Sequence, residues 1–264
     1  MKRIKATLLL VLVTFCLSVI AFGGDWDNTE PAVVLNGKLY TIETGGMLYV
    51  TELPSGVWKQ LGKADFANTK FLFVSTTNLI TIEADGSMYS VDPASGAWRK
   101  VGKGADWKNT VVGATIGDKL YTVETEGRMF ETNTTNGVWR QIGKTDYLRT
   151  KYLYSDGTKL YSIEHDGYFY SINASSGVWQ KISNSNDWLN TNRSVMFNGK
   201  LYTTENNNLF VTDPATGVWK QLGKREFSSV DHLVGAGDSL YSIEFNGQLF
   251  RVNPTDGSRT QIGK

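Results

Sequence analysis

This sequence predicts an all-β fold, a six-bladed β-propeller of four-stranded antiparallel blades with about 40 residues per blade. Three observations predict it. A glutamate closes a short strand-like run six times, at Glu43, Glu83, Glu124, Glu164, Glu205 and Glu244, with successive gaps of 40, 41, 40, 41 and 39 residues. The runs themselves (LYTIE, LITIE, LYTVE, LYSIE, LYTTE, LYSIE) are built from β-branched and aromatic residues and are separated by glycine turns. Finally, six complete sets of strands fit the chain from Asp25 to Lys264 with nothing left over. One such unit cannot bury both of its faces, so it must lean on neighbours.

Residues 1–23 stand outside the repeat and read as a signal peptide. Lys2, Arg3 and Lys5 give a positive start, Ala6 to Phe22 an apolar run, and Ala21-Phe22-Gly23 a cleavage site. An uncleaved anchor is the competing reading, because the run is barely long enough to span a bilayer. Residues 24–264 form the propeller, with blades at about 31–63, 70–103, 111–144, 151–184, 192–224 and 231–264. Cys16 is the single cysteine, and Phe15 stands where lipoprotein modification would require a small residue. Cleavage therefore leaves neither disulfide nor thiol chemistry. Without Lys2, Arg3 and Lys5 the basic count falls from 27 to 24 against 26 acidic residues. A charge near −2 gives no footprint for nucleic acid or for an anionic membrane surface. The expected location is secreted or periplasmic, without membrane insertion once the signal is removed.

Within residues 64–103 each element has a local cause. Lys70 to Val74 is apolar on both faces, as an innermost strand covered by two neighbours must be. In Leu79 to Glu83, Leu79, Thr81 and Glu83 share one face and Ile80 and Ile82 the other. Ala84-Asp85-Gly86 supplies a hairpin turn, Met88 to Val91 the third strand, and Asp92-Pro93-Ala94-Ser95-Gly96 the next turn. Ala97 to Val101 is the fourth strand and carries Trp98.

The other copies follow the same plan. The fourth-strand aromatic is Trp58, Trp98, Trp139, Trp179 and Trp219, with Arg259 in the sixth copy. A lead-in loop before each blade carries an acidic–aromatic pair: Asp25-Trp26, Asp65-Phe66, Asp106-Trp107, Asp146-Tyr147, Asp187-Trp188 and Glu226-Phe227. These aromatics alternate Trp, Phe, Trp, Tyr, Trp, Phe, which predicts a threefold character built from blade pairs. Blade six departs most, with Val230 for the usual threonine and Arg259 for tryptophan. If Arg259 marks the closing seam, its stem should cover the adjoining surface of blade one.

Lead-in loops and second-to-third strand turns open on the same face of a propeller. That places the six glutamates and the acidic–aromatic pairs near one surface, where rings could stack on a sugar and carboxylates accept its hydroxyls. Weak repeated sites gain strength by engaging several ligand units together. The candidate ligand-binding residues are therefore Trp26, Phe66, Trp107, Tyr147, Trp188 and Phe227, the aspartates Asp25, Asp65, Asp106, Asp146 and Asp187, and the six glutamates. A structural role competes for the glutamates, which could pair with Lys63, Lys103, Lys144, Lys224 and Lys264 after the fourth strands. For the fourth-strand tryptophans the expectation is packing in the core or between blades.

No reaction is announced. His165 and His232, the two histidines, fall in different blades without metal-ligand spacing. There is no nucleophile elbow and no phosphate loop. The turns from Asp92 to Trp98 and from Asp213 to Trp219 are similar to the Asp-box of sialidases, but with different spacing. Glycoside hydrolysis by a carboxylate pair is disfavoured because catalysis generally needs one differentiated site, not six alike. No metal, cofactor or catalytic residue is expected.

The run from Asp65 to Trp107, with Phe66, Lys70-Phe71-Leu72-Phe73, Trp98, Val101-Gly102, Gly104 and Trp107, resembles the repeat of tachylectin-2-type lectins. The wider tectonin-type propellers share Gly-x-Trp-x-x-Ile-Gly, present here from Gly137 to Gly143. The resemblance implies sugar binding, typically of N-acetylated hexosamines, at one site per repeat, with the lead-in aromatics as candidates. The expected function is a secreted multivalent carbohydrate-binding protein whose partner is a glycan or glycoconjugate. An extracytoplasmic protein-interaction scaffold is the alternative, and a glycan-processing enzyme comes after both.

Overall fold

The computed structural model describes residues 25–263, which contain strands and no helix. The signal segment expected at residues 1–23, and Cys16 with it, lies outside the described residues. Six four-stranded antiparallel sheets follow one another along the chain. They run from Thr29 to Leu61, Thr69 to Val101, Thr110 to Ile142, Thr150 to Lys181, Arg193 to Leu222 and Val230 to Gly263. Blade two illustrates the agreement with the sequence: its strands are Thr69–Val74, Leu79–Glu83, Met88–Val91 and Trp98–Val101.

The first strand of every sheet is innermost and lies beside the first strands of both neighbouring sheets. Blade six meets blade one in the same way, so the ring closes. The inner strands approach most closely in pairs, one with two, three with four and five with six. Between the pairs, a side chain crosses to a backbone carbonyl at the same place three times. Lys70 Nζ donates to Thr110 O at 2.7 Å and Lys151 Nζ to Thr191 O at 2.7 Å, while His232 Nε2 faces Thr29 O at 3.4 Å. The threefold alternation expected from the lead-in aromatics is thus built into the inner strands.

A second set of bonds joins the blades along one face. The backbone N–H of each lead-in aromatic donates to a carbonyl of the preceding blade's second-to-third strand turn: Phe66 to Gly46, Trp107 to Gly86, Tyr147 to Gly127, Trp188 to Gly167 and Phe227 to Asn207, at 3.0–3.2 Å. The sixth bond, Trp26 to Gly247 at 3.2 Å, ties the start of the described chain to its last blade. In blade two glycine is required at this turn: Gly86 has φ +87°, and a Cβ there would run into the backbone of Lys108; in blade five Asn207 takes the place at φ 70°. Drawn in by these bonds, the lead-in rings drop between blades. Phe66 joins a cluster with Leu48, Leu61, Leu72 and Leu79, and Trp107 one with Ile82, Met88 and Val101. Burying such a ring stabilises the fold by about 1.5–3 kcal/mol.

Candidate ligand clefts on the blades

One face of each blade carries the glutamate, and blade two shows how the site is assembled. Glu83 ends the second strand opposite Thr69 on the first. The Thr69 hydroxyl donates to Glu83 Oε1 at 2.9 Å. Like bonds join Thr29 to Glu43 at 2.8 Å, Thr150 to Glu164 at 3.2 Å and Thr191 to Glu205 at 2.8 Å. Burial pushes the carboxyls of Glu43, Glu83, Glu164 and Glu205 above the usual range, and the hydroxyl donors pull them back in part. The structural partner of these glutamates is therefore threonine, where the sequence suggested lysine.

On the same face, Thr81 is paired with Tyr89 on the third strand, and Tyr89 lies diagonally from Trp98 on the fourth. Tyr89 and Trp98 meet edge to face, with centroids 5.1 Å apart and planes at 87°. The arrangement recurs for Tyr49 and Trp58, Phe130 and Trp139, Tyr170 and Trp179, and Phe210 and Trp219, at 5.1–5.4 Å. The lead-in aspartate fixes the indole from the other side. Trp98 Nε1 donates to Asp65 Oδ2 at 3.0 Å, Trp139 to Asp106 at 3.1 Å, Trp179 to Asp146 at 2.9 Å and Trp219 to Asp187 at 2.9 Å. With its edge packed and its N–H occupied, the indole is held rigid while part of its surface stays open.

What results is a cleft. In blade two it measures about 510 Å³ and is lined by Asp65, Phe66, Asn68, Glu83, Tyr89 and Trp98. Equivalent clefts in blades three, one, four and five measure about 210, 150, 110 and 50 Å³. Asp25 lines the cleft of blade one beside Trp58 and Glu43. The largest lies within the range of small-ligand sites, and the others are shallow.

The two sets of aromatics exchange the places expected of them. Trp26, Phe66, Trp107, Tyr147, Trp188 and Phe227, expected as open stacking platforms, are only 2–4% exposed and form core between blades. At most an edge of a lead-in ring contributes to a cleft wall. Trp58, Trp98, Trp139, Trp179 and Trp219, expected in the core, are 42–50% exposed. The cause is position: the fourth strand is the outer edge of its sheet, whereas the lead-in loop is pulled between blades by its bond to the preceding turn. Two further contributors escaped the sequence reading, the third-strand aromatics and Asn28, Asn68 and Asn109 in the cleft walls. The aromatics do leave a signal, because each precedes its tryptophan by nine residues, from Tyr49 to Trp58 through Phe210 to Trp219.

Blade six is different. Arg259 turns back into its own blade and does not cover blade one as the sequence suggested. Its guanidinium sits 3.9 Å from the Phe250 ring centroid and 5.4 Å from that of Phe227. Nη2 donates to Glu244 Oε1 at 2.8 Å, and Nη1 donates to the Glu226 carbonyl. Val230 replaces the threonine that would serve Glu244, so arginine supplies the missing donor. In blade three, Arg128 Nη2 bonds Glu124 Oε2 at 3.2 Å with its guanidinium 5.6 Å from Phe130, and the buried Thr110 hydroxyl is left without a partner.

No protein-family model matches the sequence, and no curated protein matches it. Among solved structures, the chain is similar to PorZ, a bacterial surface component of the type-IX secretion system of Porphyromonas gingivalis, at 15% identity and TM-score 0.57, covering 90% of this chain and 38% of that one. It is also similar to the extracellular domain of the putative one-component system BT4673 from B. thetaiotaomicron, at 12% identity and TM-score 0.59, covering 89% and 36%. The computationally designed Ika8 protein is similar at 13% identity and TM-score 0.53, covering 89% and 74%. At these identities the likeness is one of fold. The chain spans well under half the length of the two natural neighbours.

Proposed function

We propose that this protein is a multivalent carbohydrate-binding propeller that works outside the cytoplasm. The observation that carries the reading is a half-exposed tryptophan beside a buried or partly buried glutamate in five blades, with the indole fixed by an aspartate in four of them. A pyranose can lay its C–H face on the indole while its hydroxyls donate to the glutamate, the reason such pairs suit sugars. Asparagine amides add donors and acceptors at the cleft wall in three blades. A polymer with a repeating unit would engage several clefts together, so modest single-site affinities add up through effective concentration. The reading is of binding and not of catalysis, because five clefts of one plan offer no single differentiated pair of carboxylates. A location outside the cytoplasm follows from the signal-like start of the sequence, and two of the structural neighbours are themselves a surface component and an extracellular domain.

Retention on immobilised polysaccharides tests the proposal. The wild-type protein should bind, and Trp98→Ala should weaken binding with an unchanged far-ultraviolet spectrum. Indifference to neutral, acidic and amino polysaccharides alike would remove the carbohydrate reading. It would leave the alternative, a protein-interaction scaffold using the same face, which a surface-component neighbour brings to mind.

A further inference from the structure

Four blades leave the glutamate–aromatic corner without a cation, and two, blades three and six, place an arginine of their own there. The filling group identifies the chemistry. In blade six the corner holds a cation that sits over the third-strand ring, 3.9 Å from its centroid, and bonds the glutamate at 2.8 Å. Its burial is nearly complete, with side-chain exposures of 11% for Arg259 and 4% for Glu244. Blade three repeats the preference from a different position in the chain. Arg128 is on the second-to-third strand turn, not on the fourth strand, and its Nη2 bridges Glu126 Oε2 at 2.8 Å and the corner glutamate Glu124 Oε2 at 3.2 Å, with the guanidinium 5.6 Å from the third-strand ring. It does so although Thr110, the partner used elsewhere, stands unbonded nearby. Two unrelated side chains have thus found the same seat, a carboxylate backed by an aromatic face, which is where electrostatics and the ring quadrupole both favour positive charge.

Blades one, two, four and five keep the carboxylate and the ring, and no arginine or lysine bonds Glu43, Glu83, Glu164 or Glu205 among the described residues. Hydroxyl donors serve one oxygen of each, and only in blades four and five does a cation, Arg149 or Lys151, lie near enough to draw the carboxyl down. We propose that the open clefts seat a cation on their ligand, and that the sugar they take is an amino sugar with a free, protonated amine. This rests on the carbohydrate reading above: the half-exposed indole receives the ring, and the glutamate receives the ammonium. N-acetylation converts that ammonium into a neutral amide, so acetylated hexosamines, which the lectin resemblance implies, should be the poorer ligands.

The test compares three oligosaccharides of equal length against the wild-type protein by titration calorimetry: a β-1,4 glucosamine oligomer, its fully N-acetylated counterpart and a cello-oligomer. An oligo-arginine peptide is the fourth arm. The glucosamine oligomer should bind more tightly than both neutral oligomers by at least about tenfold, the discrimination a charged hydrogen bond supplies over a neutral one. Glu83→Gln, which keeps an acceptor for the Thr69 hydroxyl, should lower that preference. Because the ligand series is run on the unaltered protein, the outcome does not depend on any variant folding. Equal binding of the acetylated or neutral oligomer would overturn the amino-sugar inference and leave the carbohydrate reading standing. Binding of oligo-arginine with no oligosaccharide bound would overturn both readings as they concern sugars. Binding of none of the four would overturn the amino-sugar inference, and the carbohydrate reading would fall with it only if the immobilised polysaccharides were also ignored.

Discussion

In blade two the first and fourth strands present Thr69 and Trp98 to Glu83; in blade six the same positions hold Val230 and Arg259 around Glu244. Both arrangements satisfy the carboxylate, one with a neutral hydroxyl at 2.9 Å and the other with a guanidinium at 2.8 Å. The consequences differ. A threonine is short and stays within its strand, so the space above the glutamate remains as a cleft of about 510 Å³. An arginine reaches across the corner and takes the space itself. The two substitutions compensate one another, and neither is intelligible alone. Blade six therefore fills with its own side chain the corner that blade two leaves as a cleft.

The comparison breaks most visibly if Arg259 is removed. Arg259→Ala leaves Glu244 buried without its cation, held only by the Ser242 hydroxyl at 3.1 Å, which should destabilise the ring by about 3 kcal/mol at neutral pH. Urea unfolding would read this as a lower midpoint. The loss should shrink as pH falls, because Glu244, its carboxyl already raised by burial, can take up a proton once its cation is gone. Recovery is the next largest effect: Val230→Thr together with Arg259→Trp rebuilds the blade-two arrangement. The double variant should regain most of the lost stability and the Arg259→Trp single variant should not, since these contacting sites couple.

Smaller changes sharpen the open side. Thr69→Val removes the one hydroxyl from the first strand that serves Glu83 and should cost about 1–3 kcal/mol, again seen in the unfolding midpoint. Trp98→Phe keeps a ring against Tyr89 but loses the 3.0 Å bond to Asp65. Its cost should be about 0.5–1.5 kcal/mol. The smallest effect is electrostatic. The carboxyl of Glu83 lies above its ordinary value of 4.5 because of burial. For a group raised on folding, the stabilising contribution is complete below the ordinary value and is lost as pH rises through the raised one. Glu83→Gln imitates the protonated form, so it should melt higher than wild type at neutral pH, and the gap should close on acidification.

Much of this architecture can be read from the chain. Leu79–Glu83 and Met88–Val91 are strands where the residue pattern places them, since strict alternation and Asp-Gly or Asp-Pro turns leave little choice. Glutamate spacing gives the number of blades. The site was legible in its ingredients and misread in its arrangement. Tryptophan hydrophobicity argues for burial, but Trp98 lies on an outer strand, where sheet position overrides side-chain preference. Phe66 was expected as a stacking platform because its loop opens on the ligand face, yet its backbone bond to Gly46 commits the ring to the core. Arg259 could not be interpreted from its own position, because its meaning depends on Val230, nearly a whole blade away in sequence and on the opposite edge of the same sheet.

The decisive measurement is a crystal structure of the protein grown with a glucosamine trimer. A sugar ring should lie against the Trp98 indole with its amine within hydrogen-bonding distance of Glu83, and Arg259 should stay bonded to Glu244 with no sugar in blade six. A trimer seated in the central channel or on the opposite face of the ring, with the blade-two corner empty, would contradict it.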